Sequence, residues 1–197
     1  MTAPTLDASA AGQALARVLA APGIDYAIGG ALALGVWSDP RGTLVVDINL
    51  FIEPEQAADA LDLLVREGVT LDRAAALRAI ETGDSVLARY RGLRVDLFLP
   101  SIPFSHEAGR TRRFVSGPEG EIAFLSPEAL AVFKLLFFRG KDLVDLEKLV
   151  AVQGPALDTA CIRRWMVEMM GEEDERVLAW DGIVAAAGPD TAPPPIG

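Results

Sequence analysis

The sequence predicts a mixed α+β fold: a small mixed β-sheet flanked by helices, followed by a helical C-terminal part. Three observations carry that reading. Thr43–Ile52 is an alternating aliphatic run of strand length, the strongest strand signal in the chain. "SVLARYRGLRVDLFLP", residues 85–100, reads as two strands joined by a turn at Arg91-Gly92. From Ser126 onward the pattern becomes helical, opened by Ser126 as N-cap, Pro127 at the first helical position and Glu128 in the first turn.

The elements follow in order. The first residues are rich in Ala, Thr and Pro and are expected to fray. A helix is expected from Ser9 to Ala20, with Leu15, Val18 and Leu19 at helical spacing, broken by Ala21-Pro22-Gly23. "IDYAIGG" is a short strand ending in two glycines, "ALALGVW" a short apolar helix, and "SDPRG" a loop before the 43–52 strand. Pro54 suits a helix N-terminus, and "EQAADALDLLVREG" is an amphipathic helix closed by Gly68. A second helical piece covers Asp72–Ile80. The second strand of the 85–100 hairpin runs from Leu93 to Leu99, and another strand pair forms around "GPEG" within "RRFVSGPEGEIAFLS". His106, the sole histidine, falls in the connecting loop. Helices are expected at 127–138, 141–152, 156–170 and 172–186. The tail "AAAGPDTAPPPIG" is Pro-rich and is expected to be disordered. The organisation is therefore an α/β core over 1–125, a helical part over 126–187 and a tail over 188–197.

A chain of 197 residues with 51% hydrophobic content can build a real core. No apolar run is long enough to cross a bilayer, and "MTAPTLDASAAG" lacks the basic start and apolar centre of a secretory signal. One cysteine, Cys161, allows no internal disulfide and is read as helix core. The expected location is cytoplasmic. A net charge of −10 argues against an extensive nucleic-acid surface. Two local basic clusters, Arg110 with Arg112 and Arg113, and Arg139 with Lys141, stand out against it; for the first, solvated surface charge is the simpler reading.

The chemistry concentrates in one strand. Alternation puts Val45, Asp47 and Asn49 on one face and the aliphatic Leu44, Val46, Ile48 and Leu50 on the other. Asp96, in "LRVDLFLP", has a similar setting. If their strands are sheet neighbours, Asp47 and Asp96 converge on a hard cation such as Mg²⁺, which takes oxygen ligands, often one or two carboxylates plus substrate phosphates. Gly29-Gly30, between a strand and a helix, permits close backbone approach to a phosphate. Lys134 lies inside the apolar run "ALAVFKLLFF" and must snorkel or meet an anion. Asp142 and Asp145 share a helical face near Lys141 and suit a helix N-terminus.

Taken together, "YAIGGALALGVWSDPRGTLVVDINLFI", "RVDLFLP" and "SPEALAVFKLLFFRGKDLVDLEKL" resemble the nucleotidyltransferase fold, over roughly residues 24–150. The resemblance is to the minimal bacterial group that includes the AbiEii-type toxin proteins. That pattern has Gly-Gly or Gly-Ser after the first strand, an Asp-x-Asp pair on the next and a third carboxylate on a later strand. A Lys follows, then an Arg-x-Lys-Asp-x-x-Asp-like segment.

The resemblance implies catalytic Asp47 and Asp96. It implies a nucleoside triphosphate held through Gly29, Gly30, Arg41, Thr43, Lys134, Lys141, Asp142 and Asp145, and Mg²⁺ or Mn²⁺ held by Asp47, Asp96 and Asn49. The acceptor stays open between a tRNA 3′ end, a protein hydroxyl and a small molecule such as an aminoglycoside. A non-catalytic member binding nucleotide or a protein partner, and a place in a toxin–antitoxin pair with an antitoxin partner, stay open as well.

The chain departs from the pattern at one carboxylate. Counting from Arg41 and Thr43 puts the first Asp of the pair at Val45 and the second at Asp47. In the other register Asp47 is first and Asn49 is the altered second. The Arg41–Thr43 spacing favours the former. Either way one carboxylate of three is missing, so a second metal ion lacks a ligand and catalysis is expected to be weak or lost, with nucleotide binding kept.

Overall fold

The structure, a computed structural model, describes residues 7–117 and 120–188. The expected fraying before Asp7, the middle of the "GPEG" turn and the tail beyond Gly188 lie outside the described residues. The chain divides into two units, Met1–Leu32 with Gly42–Leu125 and Ala33–Arg41 with Ser126–Gly197.

The first unit contains α1 (Ala8–Ala20), β1 (Tyr26–Ile28), the start of α2 (Gly30–Trp37), β2 (Val45–Leu50), α3 (Pro54–Arg66), β3 (Val69–Leu71), α4 (Arg73–Thr82), β4 (Val86–Tyr90), β5 (Leu93–Phe98), α5 (Phe104–Arg110), β6 (Arg113–Gly117) and β7 (Gly120–Phe124). Side chains open the helices where orphan N–H groups need them. Asp7 accepts from the Ala10 N–H at 2.7 Å, and Asp72 from that of Ala75 at 2.9 Å. Pro54 opens α3, while the Gln56 side chain returns to the Glu53 N–H at 3.1 Å.

The strands form one seven-stranded sheet in the order β3-β4-β5-β2-β1-β7-β6. The β2–β5 and β1–β7 pairings are parallel and the rest antiparallel, so the sheet is mixed as expected. One face packs into the core. Val46 and Ile48 from β2, Val86 from β4, and Val95 and Leu97 from β5 are fully buried with Leu15 and Leu19 of α1 and Leu61 and Leu64 of α3. Each such side chain removed from water contributes about 1.5–3 kcal/mol. Along β4 the alternation is complete: Val86, Ala88 and Tyr90 are buried, Leu87 and Arg89 exposed.

The second unit holds the end of α2 with the segment to Arg41, then α6 (Pro127–Phe137), α7 (Gly140–Gln153), a short 3-10 turn, α8 (Thr159–Met170) and α9 (Glu175–Ala187). Ser126, Asp158 and Asp174 cap α6, α8 and α9. Leu130, Leu135, Leu146, Leu149, Ile162, Met166, Val177 and Trp180 form its core, and the Trp180 indole donates to the Thr159 carbonyl at 3.2 Å. Among the described residues no helix is long and apolar enough to cross a membrane.

Several local expectations change, among them the start of the last helix, expected at 172 and found at Glu175. His106 lies in helix α5 rather than a loop, because Pro103 presets the backbone and the Ser105 N–H closes a turn on the Ile102 carbonyl at 2.9 Å. Leu44, placed with the core face, is 75% exposed, because the strand begins only at Val45. Helix α8 starts at Thr159, after residues 154–156 turn as a 3-10 segment and Asp158 supplies the cap. Cys161 is half-buried rather than core.

Candidate functional site: a carboxylate pair on the sheet

β2 and β5 run parallel with Asp47 directly opposite Asp96. Register partners in a parallel pair project to the same face from strands about 4.8 Å apart, so the two carboxylates are neighbours there. Asp96 is 8% exposed, and Asp47 is half-buried. The same register sets Val45 opposite Arg94 and Asn49 opposite Phe98. Asp47 is thus the β2 residue level with Asp96, Val45 lies one row before it, and Asn49, 7% exposed, one row beyond.

The two glycines make room for this pair. Gly29 donates its N–H to the Asp47 carbonyl at 2.8 Å, fixing the strand-to-helix turn against β2. Gly30 opens α2 with φ of +55°, and a Cβ there would lie 1.8 Å from Asp47 Oδ2. A Cβ on Gly29 would lie 2.8 Å from the Asn49 amide nitrogen. The space a side chain would occupy is therefore taken by the carboxylate of Asp47 and the amide of Asn49. Beyond Gly30, the first N–H groups of α2 have no partner four residues back within the helix, which is the arrangement that binds phosphate. Thr43 shapes the entry to β2: its hydroxyl accepts from the Val45 N–H at 3.1 Å.

Arg94 completes the group. Two residues before Asp96 on one strand, it shares that face and donates Nε–H to Asp96 Oδ1 at 2.7 Å, the length of a charge-assisted bond. That hydrogen bond, then the charge of Asp96, then that of Asp47, hold the guanidinium protonated above its ordinary value. Sequence reasoning passed over Arg94. The signal was present in "RVD": on a strand, residues two apart lie on one face.

The donor set suits a hard cation. Asp47 and Asp96 offer carboxylate oxygens, Asn49 an amide oxygen, and Gly30 the clearance. Among the described residues no group of three or more His, Cys, Asp or Glu side chains gathers as a metal cage.

The remaining expected site residues sit in the second unit and form a buried ionic network. Lys134 is 4% exposed, Asp142 1% and Asp145 2%. Lys134 Nζ lies 2.6 Å from Asp145 Oδ2 and 3.6 Å from Asp142 Oδ1. The lysine therefore meets anions, and does not snorkel. Arg41 grips Asp145 through Nε at 3.0 Å and Nη2 at 3.0 Å. Arg139 donates Nε–H to Asp142 at 2.6 Å, and its backbone N–H to the same carboxylate at 3.2 Å, capping α7. Burial pushes the Asp145 carboxyl up, but the hydrogen bonds from Arg41 and Lys134 and their charges bring it below its ordinary value of 3.8. Lys141 is exposed. The Arg110 and Arg112 charges are engaged separately, with Glu107 at 2.7 Å and Asp25 at 2.5 Å.

No protein-family model matches the chain, and no curated protein matches its sequence. Solved structures do. An antigenic nucleotidyltransferase-like protein from Paracoccidioides brasiliensis aligns with a TM-score of 0.50 at 17% identity, covering 88% of this chain and 93% of that one. ANT(2")-Ia in complex with adenylyl-2"-tobramycin aligns at 0.56 and 12% identity, covering 80% of this chain and 95% of that one. The solution structure of ANT(2'')-Ia aligns at 0.53 and 11% identity, with coverage of 82% and 92%. The fold is nucleotidyltransferase-like. Identities this low speak to the fold, so any activity rests on the site's own residues.

Proposed function

We propose that this nucleotidyltransferase-like protein binds a nucleoside triphosphate with one divalent cation, Mg²⁺ or Mn²⁺, at Asp47 and Asp96. It moves the nucleotidyl group to an acceptor weakly, because Val45 stands where a further carboxylate is expected. The observation that carries the reading is the register pairing of Asp47 with Asp96 beside the Gly29-Gly30 turn. Asp47 and Asp96 hold the cation, with Asn49 as a neutral oxygen donor at the edge of the pair. The first N–H groups of α2 take a phosphate. When bound, the cation neutralises phosphate charge and lowers the pKa of an attacking hydroxyl. Lys134, Asp142 and Asp145 act mainly as the scaffold that fixes Arg41, since their charges are already engaged with one another; Thr43, at the entry to β2, contacts the nucleotide.

Two observations favour a second reading, in which the same surface binds nucleotide without turnover. Val45 contributes no oxygen, and Arg94 already occupies Asp96. The acceptor stays among a tRNA end, a protein hydroxyl and a small molecule. Calorimetric titration of each nucleoside triphosphate with Mg²⁺ or Mn²⁺ tests both readings, using wild type and Asp47→Ala. Metal-dependent binding that Asp47→Ala abolishes supports the site, and a labelled-nucleotide transfer assay then separates turnover from binding. Equal binding by both proteins makes Asp47 structural and removes the proposal.

A further inference from the structure

We propose that Arg94 is a built-in counter-ion of the carboxylate pair: it occupies Asp96, and a divalent cation must displace it to bind. The inference rests on the assignment of Asp47 and Asp96 as cation ligands. Its basis is the neighbourhood of Arg94 on the sheet.

Arg94 faces Arg89 across β4 and Val45 across β2. The first repels its charge and the second offers none, because opposed like charges disfavour each other and an aliphatic side chain has no acceptor. The attraction comes from the next row, where Asp96 and Asp47 stand side by side. Arg94 accordingly folds back along its own strand to reach Asp96 Oδ1 at 2.7 Å.

The contact is asymmetric in a way that suits exchange. The Arg94 side chain is 55% exposed, whereas that of Asp96 is 11% exposed. The guanidinium finds water when it swings away but gives up its charge-assisted bond, while the Asp96 carboxylate, held within the sheet, needs a replacement cation when the arginine leaves. A divalent ion held by Asp47 and Asp96 would supply it. Arg94 thus sets a threshold: one carboxylate oxygen is unavailable until the incoming charge outcompetes it. Leu87, opposite Asp96 on β4 and 60% exposed, supplies no charge that would hold Arg94 elsewhere.

The test is titration of Mn²⁺ alone, followed by calorimetry and by the paramagnetic resonance signal of free Mn²⁺. It uses wild type, Arg94→Met, Arg94→Gln and Arg94→Lys. Arg94→Met and Arg94→Gln should bind Mn²⁺ tenfold or more tighter than wild type, while Arg94→Lys, which keeps the charge, stays near wild type. The gap should narrow as salt rises, since an exposed guanidinium is screened. Mn²⁺ should also raise the melting temperature of Arg94→Met more than that of wild type, a readout that a merely structural arginine would not move. Binding of Mn²⁺ by Arg94→Met and Arg94→Gln no tighter than by wild type overturns the proposal. If every protein is silent to Mn²⁺, and wild type is silent to Mn²⁺ with each nucleoside triphosphate, the carboxylate-pair assignment itself falls and takes this inference with it.

Discussion

Replacing Gly30 by alanine tests the geometry on which the site depends. The new Cβ would sit 1.8 Å from Asp47 Oδ2, 2.5 Å from its Cγ and 3.0 Å from its Cβ. Contact at such separations is prohibitive, so the carboxylate must swing away. Two costs add. An L-residue held at φ of +55° gives up about 1–2 kcal/mol, and driving the Asp47 side chain off its rotamer costs about 0.5–1.5 kcal/mol more. For a chain of this size about 2–3 kcal/mol lowers the melting temperature by roughly 4–12 °C. Gly23→Ala is the internal control, because Gly23 has φ of +78° with nothing within 4 Å of its would-be Cβ. It should show the backbone cost alone and leave ligand binding untouched. Thermal unfolding and Mn²⁺–nucleotide calorimetry on both variants read the two effects separately. Gly30→Ala should lose at least tenfold in affinity beyond Gly23→Ala. Equal affinity in the two variants would refute the claim that Gly30 exists to let Asp47 present its carboxylate.

Three further outcomes follow from the same structure. Val45→Asp should tighten Mn²⁺ binding about tenfold, by adding a carboxylate to the face that bears Asp47 and by offering Arg94, its register partner, an alternative to Asp96; an unchanged isotherm rejects the Arg41–Thr43 register. Lys134→Met should destabilise the protein by about 3–5 kcal/mol in urea unfolding, because it strips a buried partner from Asp145 and Asp142; a loss below about 1 kcal/mol would mean that Arg41 and Arg139 suffice. Asp145, its folded pKa depressed below 3.8, contributes stability that is complete above that value and is lost as pH falls through the folded pKa. Acid unfolding followed by circular dichroism should therefore show a shallower loss below about pH 4 in Asp145→Asn than in wild type, and equal slopes would remove Asp145 from the acid transition.

The sequence was most legible where one periodicity dominated. β2 and β5 each carry a single acidic residue in an aliphatic frame, so strand type, buried face and the exception on each strand could be read together. Their direct opposition could not be read. It is a fact of strand order, which joins β5 to β2 although α3, β3, α4 and β4 lie between them in sequence. β3 was missed because three residues are too few for alternation to register. Helix α5 was missed because its seven residues include Gly109, whose missing side chain leaves room for the Phe51 ring. Lys134 shows the other kind of gap. Sequence demanded an anion for a lysine in an apolar helix, and the resemblance suggested a triphosphate, but Asp145 stands eleven residues on and supplies the charge from within the chain.

Charge decides what this fold can do with its site. Of the carboxylates and the arginine bonded to them, Asp47 and Asp96 supply two negative charges and Arg94 one positive, −1 together where three carboxylates alone carry −3, and Arg89 stands beside Arg94 on β4 as a further positive charge. A pair of unit charges about 5 Å apart interacts by about 3 kcal/mol at an effective dielectric of about 20. Full strength would make the loss of two charge units fatal to divalent-ion binding. Arg94 is half in water, however, and its share is screened to a fraction of that figure. If Asp47 and Asp96 hold a cation as proposed, the site is intrinsically weak: a free ion would fill it poorly and an ion carried on a triphosphate better, because the phosphates bring their own ligands and the N-terminus of α2 would receive them. On this reasoning metal and nucleotide bind with positive coupling, each raising the affinity of the other by the same factor. A titration in which saturating nucleoside triphosphate leaves the Mn²⁺ affinity unchanged would contradict it.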